Sequence, residues 1–348
     1  MNQTRKLGKT ILFLAAALLV TAALCFLPRF APFSVRLATT LGIPTSYVTI
    51  SNTMLSACCM VLLLAVAAAL WSRCAWTLGV TSLLGLAVFT FALGYLATSD
   101  LLGALWLLLL IGIPSVGLYT MQRCKLNNFR IVIYGTFLTL IALFCYVCLP
   151  SLLAEGDAFL PFRSLIGQYA AGIEESKSIL IESGLFTEAT VQDTLDTLTD
   201  YKLGAEQFSI SVLLYPAMLC ALTNCLLFHL FNRDKSAAVL PLPKFADWRV
   251  ERWFSFSVTI VVLVCLVLSM VGVTFATALS NVFYLLWLYP LALGGLCAVK
   301  RLAKRRWAFP VVLVLGIVLF TILGPVLAFV GLFADTYERI RSNREGQG

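Results

Sequence analysis

The sequence predicts an all-α protein: a polytopic transmembrane helix bundle of about nine hydrophobic segments with one external amphipathic helical insert. Three observations predict it. Of 348 residues, 60% are hydrophobic and only 12% charged, and mean hydropathy is +0.94. A soluble chain carries roughly 25% charged residues because its surface faces water, so these charges are too few to coat a soluble particle. Apolar runs recur along the chain, each approaching the roughly 20 residues that cross about 30 Å of hydrocarbon. Charge is also segregated: residues 151–206 hold ten acidic and three basic residues, a net −7, against +15 for the remainder. The net charge of +8 is therefore a matter of topology. A cytosolic enzyme, a nucleic-acid module and a secreted disulfide scaffold are excluded.

The elements follow in order. Residues 2–9 form a basic head with Arg5, Lys6 and Lys9. Residues 10–28 are the first span. It reads as retained rather than cleaved, because no small-x-small site follows it and Leu24 precedes Cys25 where a lipoprotein signal needs a small residue. Residues 29–51, with Pro32, Gly42 and Pro44, read as an external loop or interfacial segment. Span two covers 52–71 and is followed by Arg73. Span three covers 76–97, ending at Asp100. Span four covers 101–121, before Arg123, Lys125 and Arg130. Span five covers 131–149, ended by Pro150. In the insert, 151–206, Leu165, Tyr169 and Ile173, then Val191, Leu195 and Leu198, recur at helical spacing, and Thr187 suits an N-cap. Two amphipathic helices over the outer mouth of the bundle or on the bilayer surface are expected; a plain connector is the alternative.

Span six covers 208–231, before Arg233 and Lys235. A cytoplasmic link carries Trp248, Arg249, Glu251, Arg252 and Trp253. Spans seven (254–279) and eight (281–299) lead to the cluster Lys300, Arg301, Lys304, Arg305 and Arg306. The last apolar run, 307–334, is broken at Gly324-Pro325, and the tail carries Arg339, Arg341 and Arg344. The organisation is thus 1–150, the first five spans; 151–206, the acidic insert; and 207–348, the C-terminal spans and basic tail. With the N-terminus inside, 17 of the 25 basic residues fall in inner loops and five in outer ones, the bias that fixes orientation. The insert is then extracytoplasmic. The final 28-residue run is too short for two crossings, which need roughly 40 residues; it is either one kinked span, which would leave the tail's arginines outside, or a re-entrant hairpin at Gly324-Pro325, which would return the tail to the cytoplasm.

Chemistry-bearing motifs are sparse. One histidine, His229, cannot build a His-rich metal site and reads as a buried or interfacial polar residue. Serine triads and HExxH proteases are excluded for want of histidines. Glu174-Glu175 lacks the arginine and histidines of a paired-glutamate intramembrane protease. Nine of the eleven cysteines fall in or at the ends of spans, where cysteine packs as a small apolar residue; the Cys145/Cys148 pair reads the same way. No enzyme, cofactor or metal is expected. No Asp, Glu, Lys or Arg falls inside an assigned span, which argues against a proton antiporter or charged-ion channel. Uncharged polar side chains remain: Asn52 and Thr53 at the outer end of span two, Tyr215 and Asn224 beside Pro216 in span six, and Asn281, Tyr284 and Trp287 before Tyr289-Pro290 in span eight. These seven are the candidate substrate-binding residues; helix–helix hydrogen bonding is the competing reading. Ala65 and Ala69, and Gly294 and Gly295, offer close-packing faces. Trp248, Trp253 and Trp307 suit interfacial anchors. The basic cluster at 300–306 suits a topology signal that also attracts anionic lipid or an acidic partner.

Several stretches together resemble one family. These are the basic head, residues 112–123 with Gly112, Pro114, Gly117 and Arg123, the acidic insert, the link 240–248, residues 289–295 from Tyr289 to Gly295, and residues 331–339 from Gly331 through Asp335 to Arg339. They are similar to the YybS-like bacterial multi-pass membrane proteins over nearly the whole chain. That family is in turn distantly similar to the substrate-binding S components of energy-coupling-factor vitamin transporters and to the shape-determining MreD proteins. S components present an Ala-x-x-x-Ala face on their first helix; here span one has Ala17 and Thr21, and the strict pattern falls on span two. The resemblance implies a bacterial cell membrane protein. The expected function is a solute-binding or transport component whose pocket opens outward beneath 151–206; the alternative is a non-catalytic scaffold in a cell-envelope or morphogenesis complex. Expected partners are the lipid bilayer, other membrane proteins and a small neutral solute, with no nucleic acid.

Overall fold

A computed structural model describes residues 2–27, 45–182, 184, 186–232, 248–302 and 323–334, and every regular element among them is a helix. Eight are long and apolar enough to span a membrane, and the shorter Leu323–Ala334 supplies part of a ninth apolar segment. The chain is an all-α polytopic bundle. It divides into two compact units, Met1–Leu240 and Pro241–Gly348.

The first unit contains helices α1 (Asn2–Phe26), α2 (Thr45–Leu78), α3 (Thr81–Thr98), α4 (Leu101–Arg123) and α5 (Asn128–Glu155). The insert follows as α6 (Leu160–Glu175), α7 (Lys177–Glu182) and α8 (Glu188–Leu203), and α9 (Ala205–Asn232) completes the unit. Helix α2 is the axis, packing on α1, α3, α4 and α9. Its composition explains this: Ala65, Ala67, Ala68 and Ala69 are fully buried beside Leu64 and Trp71, and small side chains let neighbouring backbones approach. The Trp71 indole Nε1 donates to Thr21 Oγ1 at 3.0 Å, satisfying the one polar atom the ring carries into the core.

Tight turns make successive helices antiparallel. Gly79, at φ +92°, ends α2, a conformation that costs glycine nothing. Ser99-Asp100 joins α3 to α4, and the Asp100 carboxylate caps α4 by accepting from Leu102 N at 3.3 Å and Gly103 N at 2.8 Å. Asn127 caps α5, accepting from Arg130 N at 2.8 Å. The starts of α1, α3 and α5 therefore share one end of the unit with the ends of α2, α4 and α9. We call this the proximal end and the other the distal end.

Three expected span boundaries are corrected. The seventh span does not reach residue 279 but ends at Met270, because Gly272, at φ +88°, turns the chain there, and the eighth begins at Thr274. Helix α2 does not stop at Trp71 but runs to Leu78, because Ser72, Cys74 and Ala75 are as buried as the preceding turns. Helix α5 continues through Pro150 to Glu155; proline removes one ladder hydrogen bond but need not end a helix in a membrane setting.

The insert is three helices rather than two. Thr187 caps α8 as expected, accepting from Thr190 N at 3.2 Å, and Val191 is buried beneath it. The expected stripe on α6 is rotated: Phe162 and Ile166 are buried, whereas Leu165 and Tyr169 are exposed. Phe162 docks in the main core and sets that phase. The insert packs on α2, α5 and α9. Arg163 joins its two ends, reaching Asp157 at 2.5 Å and Glu206 at 3.2 Å.

The second unit contains α10 (Arg252–Met270) packed on α11 (Thr274–Leu302), and α12 (Leu323–Ala334). Helices α11 and α12 meet at two glycines: a Cβ on Gly295 would strike the Leu327 carbonyl, and one on Gly331 would strike the Leu291 carbonyl. Gly324 and Pro325 stand near the described start of α12. The last apolar run before Leu323, the tail, the loop at 29–44, Trp307 and most of the link before Trp248 lie outside the described residues.

Candidate functional site

The two ends of the first unit differ. At the proximal end, described side chains from several helices pack across the bundle interior. Arg73, only 4% exposed, donates from Nη1 to Asn232 Oδ1. Its guanidinium lies 5.4 Å from the Phe13 ring centroid, a cation–π distance. Asn232 Nδ2 donates to the Phe228 carbonyl at 2.7 Å, which turns its oxygen toward the arginine. The Asn128 side chain lies 2.8 Å from His229 Nε2, within hydrogen-bond distance. Trp76 stands edge-on to Phe228 and Tyr119, with centroids 6.2 Å and 6.3 Å away. Arg123 covers Trp76 and Tyr119 at 6.0 Å and 5.9 Å.

This layer corrects the expectation that no formal charge enters a span. Arg73 lies within the apolar stretch Ser56–Leu78. A buried guanidinium is costly unless hydrogen-bonded, and its acceptor stands 159 residues along the chain. No local pattern could reveal that pairing.

At the distal end the ends of α1, α3 and α5 and the start of α4 enclose a cavity of about 560 Å³, within the 300–1,000 Å³ typical of small-molecule sites. Cys25, Ala97, Trp106, Leu107 and Tyr146 form its walls, and Thr98, Asp100, Leu102 and Leu153 its rim. Pro150 also lines it. Lacking an N–H, Pro150 leaves the Tyr146 carbonyl outside the regular helix ladder. Thr98 Oγ1 donates within its own turn, 2.8 Å from the Gly94 carbonyl and 3.0 Å from that of Asp100. Of residues 151–206, Leu153 and Ala154 are at this cavity among the described lining residues; the insert helices lean on the α2–α5–α9 side instead.

The seven candidate residues fall in different places. Asn52 and Thr53 lie in α2, with side chains outside the described set. Tyr215 and Asn224 are nine residues apart in α9. At about 100° per residue that is half a turn, and accordingly Tyr215 is 52% exposed while Asn224 is buried. Asn224 Nδ2 approaches Cys220 Sγ at 3.7 Å, and its Oδ1 has no hydrogen-bond partner among the described residues. In the second unit Asn281 is exposed. Tyr284 stacks on Trp287 with centroids 6.1 Å apart, and Trp287 Nε1 donates to Thr259 Oγ1 at 2.9 Å. None of the five with described side chains is among the cavity's lining residues.

The lining residues Asp100 and Pro150 carried a sequence signal of a different kind, since both mark the ends of apolar runs. A cap and a terminator are also where helix ends splay, and a cavity between helix ends is lined by such residues.

Comparison with known proteins agrees with the bundle. The family described as "Predicted membrane protein (DUF2232)" matches residues 81–334, well over half the chain, and the chain belongs to that family of multi-pass membrane proteins. No curated protein and no solved structure matches it.

Proposed function

We propose that this protein is the solute-binding membrane component of a transport system, and that the distal cavity of the first unit is its binding site. The observation that supports this reading is the contrast between the ends: an open cavity of about 560 Å³ opposite a proximal layer filled by Trp76, Phe228, Tyr119 and the Arg73–Asn232 pair. A bundle open at one end and plugged at the other has the geometry of an outward-facing binding state. The basic loops orient the proximal end to the cytoplasm and the insert outward in a bacterial cell membrane, as the resemblance to S components also suggests. The scaffold reading has less behind it, because the small-residue faces meant for partner helices are occupied within the chain: Ala65 and Ala69 are fully buried, and Gly295 faces α12.

Thermal unfolding of the purified protein in nanodiscs, screened against vitamins and other small neutral solutes, tests the reading. A solute should raise the midpoint of the wild type but not of Ala97→Trp, which fills the cavity. No shift with any solute, or the same shift in both forms, would count against it.

A further inference from the structure

Resting on the solute-binding reading, we infer that the distal cavity takes an amphipathic molecule with a cationic, hydrogen-bond-donating head group, and that this molecule arrives sideways from the lipid. Three features of the cavity carry the inference.

Among the described lining residues the one formally charged side chain is the Asp100 carboxylate. Both Asp100 carboxylate oxygens face the start of α4, each taking one backbone N–H and keeping lone pairs to spare. The Tyr146 carbonyl is released by Pro150. The Thr98 hydroxyl proton is already directed to backbone carbonyls. The main-chain donors at this turn, Leu102 N and Gly103 N, are used by Asp100, and the described lining residues include no lysine or arginine. Such a wall suits an ammonium group and repels a carboxylate.

Most of the remaining wall is apolar, with Ala97, Leu107, Leu153 and the ring of Trp106, and its other side-chain polar groups, the Trp106 N–H, the Tyr146 hydroxyl and the Cys25 thiol, are uncharged. Asp100 stands in the turn between two spans, at interfacial depth. Leu107 lies seven residues further into α4, about 10 Å down at 1.5 Å per residue. A head group at Asp100 would thus have a hydrocarbon slot beneath it.

Beside Thr98 and Asp100, the rim carries apolar side chains that face outward. Leu102 and Leu153 line the cavity yet are 53% and 65% exposed, beside the exposed Leu101, Leu105 and Leu152. Leucines of this kind on the flank of a membrane bundle face acyl chains, so the opening they frame communicates with lipid.

The test uses the full chain in zwitterionic nanodiscs with three probes sharing a brominated undecyl tail: 11-bromoundecylamine, 11-bromoundecanol and 11-bromoundecanoate. Bromine quenches nearby tryptophan, so the readout is the Trp106 signal, taken as wild type minus Trp106→Phe. The amine should quench at a concentration at least tenfold below the carboxylate, with the alcohol between them, and unbrominated undecylamine should reverse the quenching saturably. Asp100→Asn, which keeps an N-capping side chain, should bring the amine to the level of the alcohol. Equal quenching by all three probes, quenching that undecylamine does not displace, or a preference for the carboxylate would overturn the inference. If the probes leave Trp106 unquenched while a water-soluble solute still raises the melting midpoint of the wild type alone, this inference fails and the solute-binding reading survives. Failure of both measurements removes both.

Discussion

The Arg73 guanidinium donates to the side-chain oxygen of Asn232, joining α2 to the end of α9 inside the proximal end of the bundle. Asn232 is itself held by the Phe228 carbonyl, so the pair is positioned before it forms. A charged group buried at 4% exposure depends strongly on such an acceptor.

Replacing Asn232 by leucine should therefore destabilise the protein by about 2–3 kcal/mol, the range for losing a hydrogen bond to a buried charge. Asn232→Asp should retain most of the stability, because a carboxylate also accepts from the guanidinium. Thermal unfolding of both variants, with Arg73→Met to complete the double-mutant cycle, measures the coupling. Additive effects would show that the pair does not act as a unit.

The contact between α11 and α12 predicts a sharp contrast among glycines. Gly295→Val places side-chain atoms against the Leu327 carbonyl and should cost about 2–3 kcal/mol, at the upper end of overpacking penalties. Gly112 has open space where a Cβ would stand. Gly112→Ala should be neutral or stabilising by up to about 1 kcal/mol, since alanine suits a helix interior better. Unfolding midpoints of the two variants check this.

Asn224 offers a test of the polar groups inside α9. Its Oδ1 is buried with no partner among the described residues. Asn224→Leu should therefore leave stability unchanged or raise it by about 1 kcal/mol, the desolvation cost no longer incurred. A loss of more than about 1 kcal/mol would mean that this oxygen has a partner worth a full hydrogen bond.

The Arg163 bridge between Asp157 and Glu206 is partly exposed, so each pair should contribute only about 0.2–1 kcal/mol. Arg163→Gln should speed limited proteolysis of the insert about two- to threefold. That difference should shrink in 1 M salt, where the screening length falls to about 3 Å.

Much of the fold was legible because the bilayer imposes strict rules. The apolar runs located the spans, and Thr187, Asp100 and Arg123 marked helix ends correctly. The failures share a cause. Pro150 and Arg73 looked like terminators when judged by local preference, yet tertiary partners carry the helix past both. Phe162, not Leu165, faces the core on α6 because it reaches the bundle, which periodicity alone does not encode. The cavity was legible least of all. Its lining comes from four helix ends far apart in sequence, whereas the polar residues visible in the sequence, such as Tyr215 and Trp287, are an exposed ring and a packed one.

The account turns on the first unit being open to the outside at its distal end and closed at its proximal end. Labelling with a membrane-impermeant maleimide tests this most directly, using two single-cysteine forms with alanine at the other cysteines. One carries Thr98→Cys at the cavity rim; the other keeps the exposed native Cys124 after α4. Thr98→Cys should react in intact cells and Cys124 only after permeabilisation. Reaction of Cys124 in intact cells, with Thr98→Cys silent until the membrane is opened, would contradict the account.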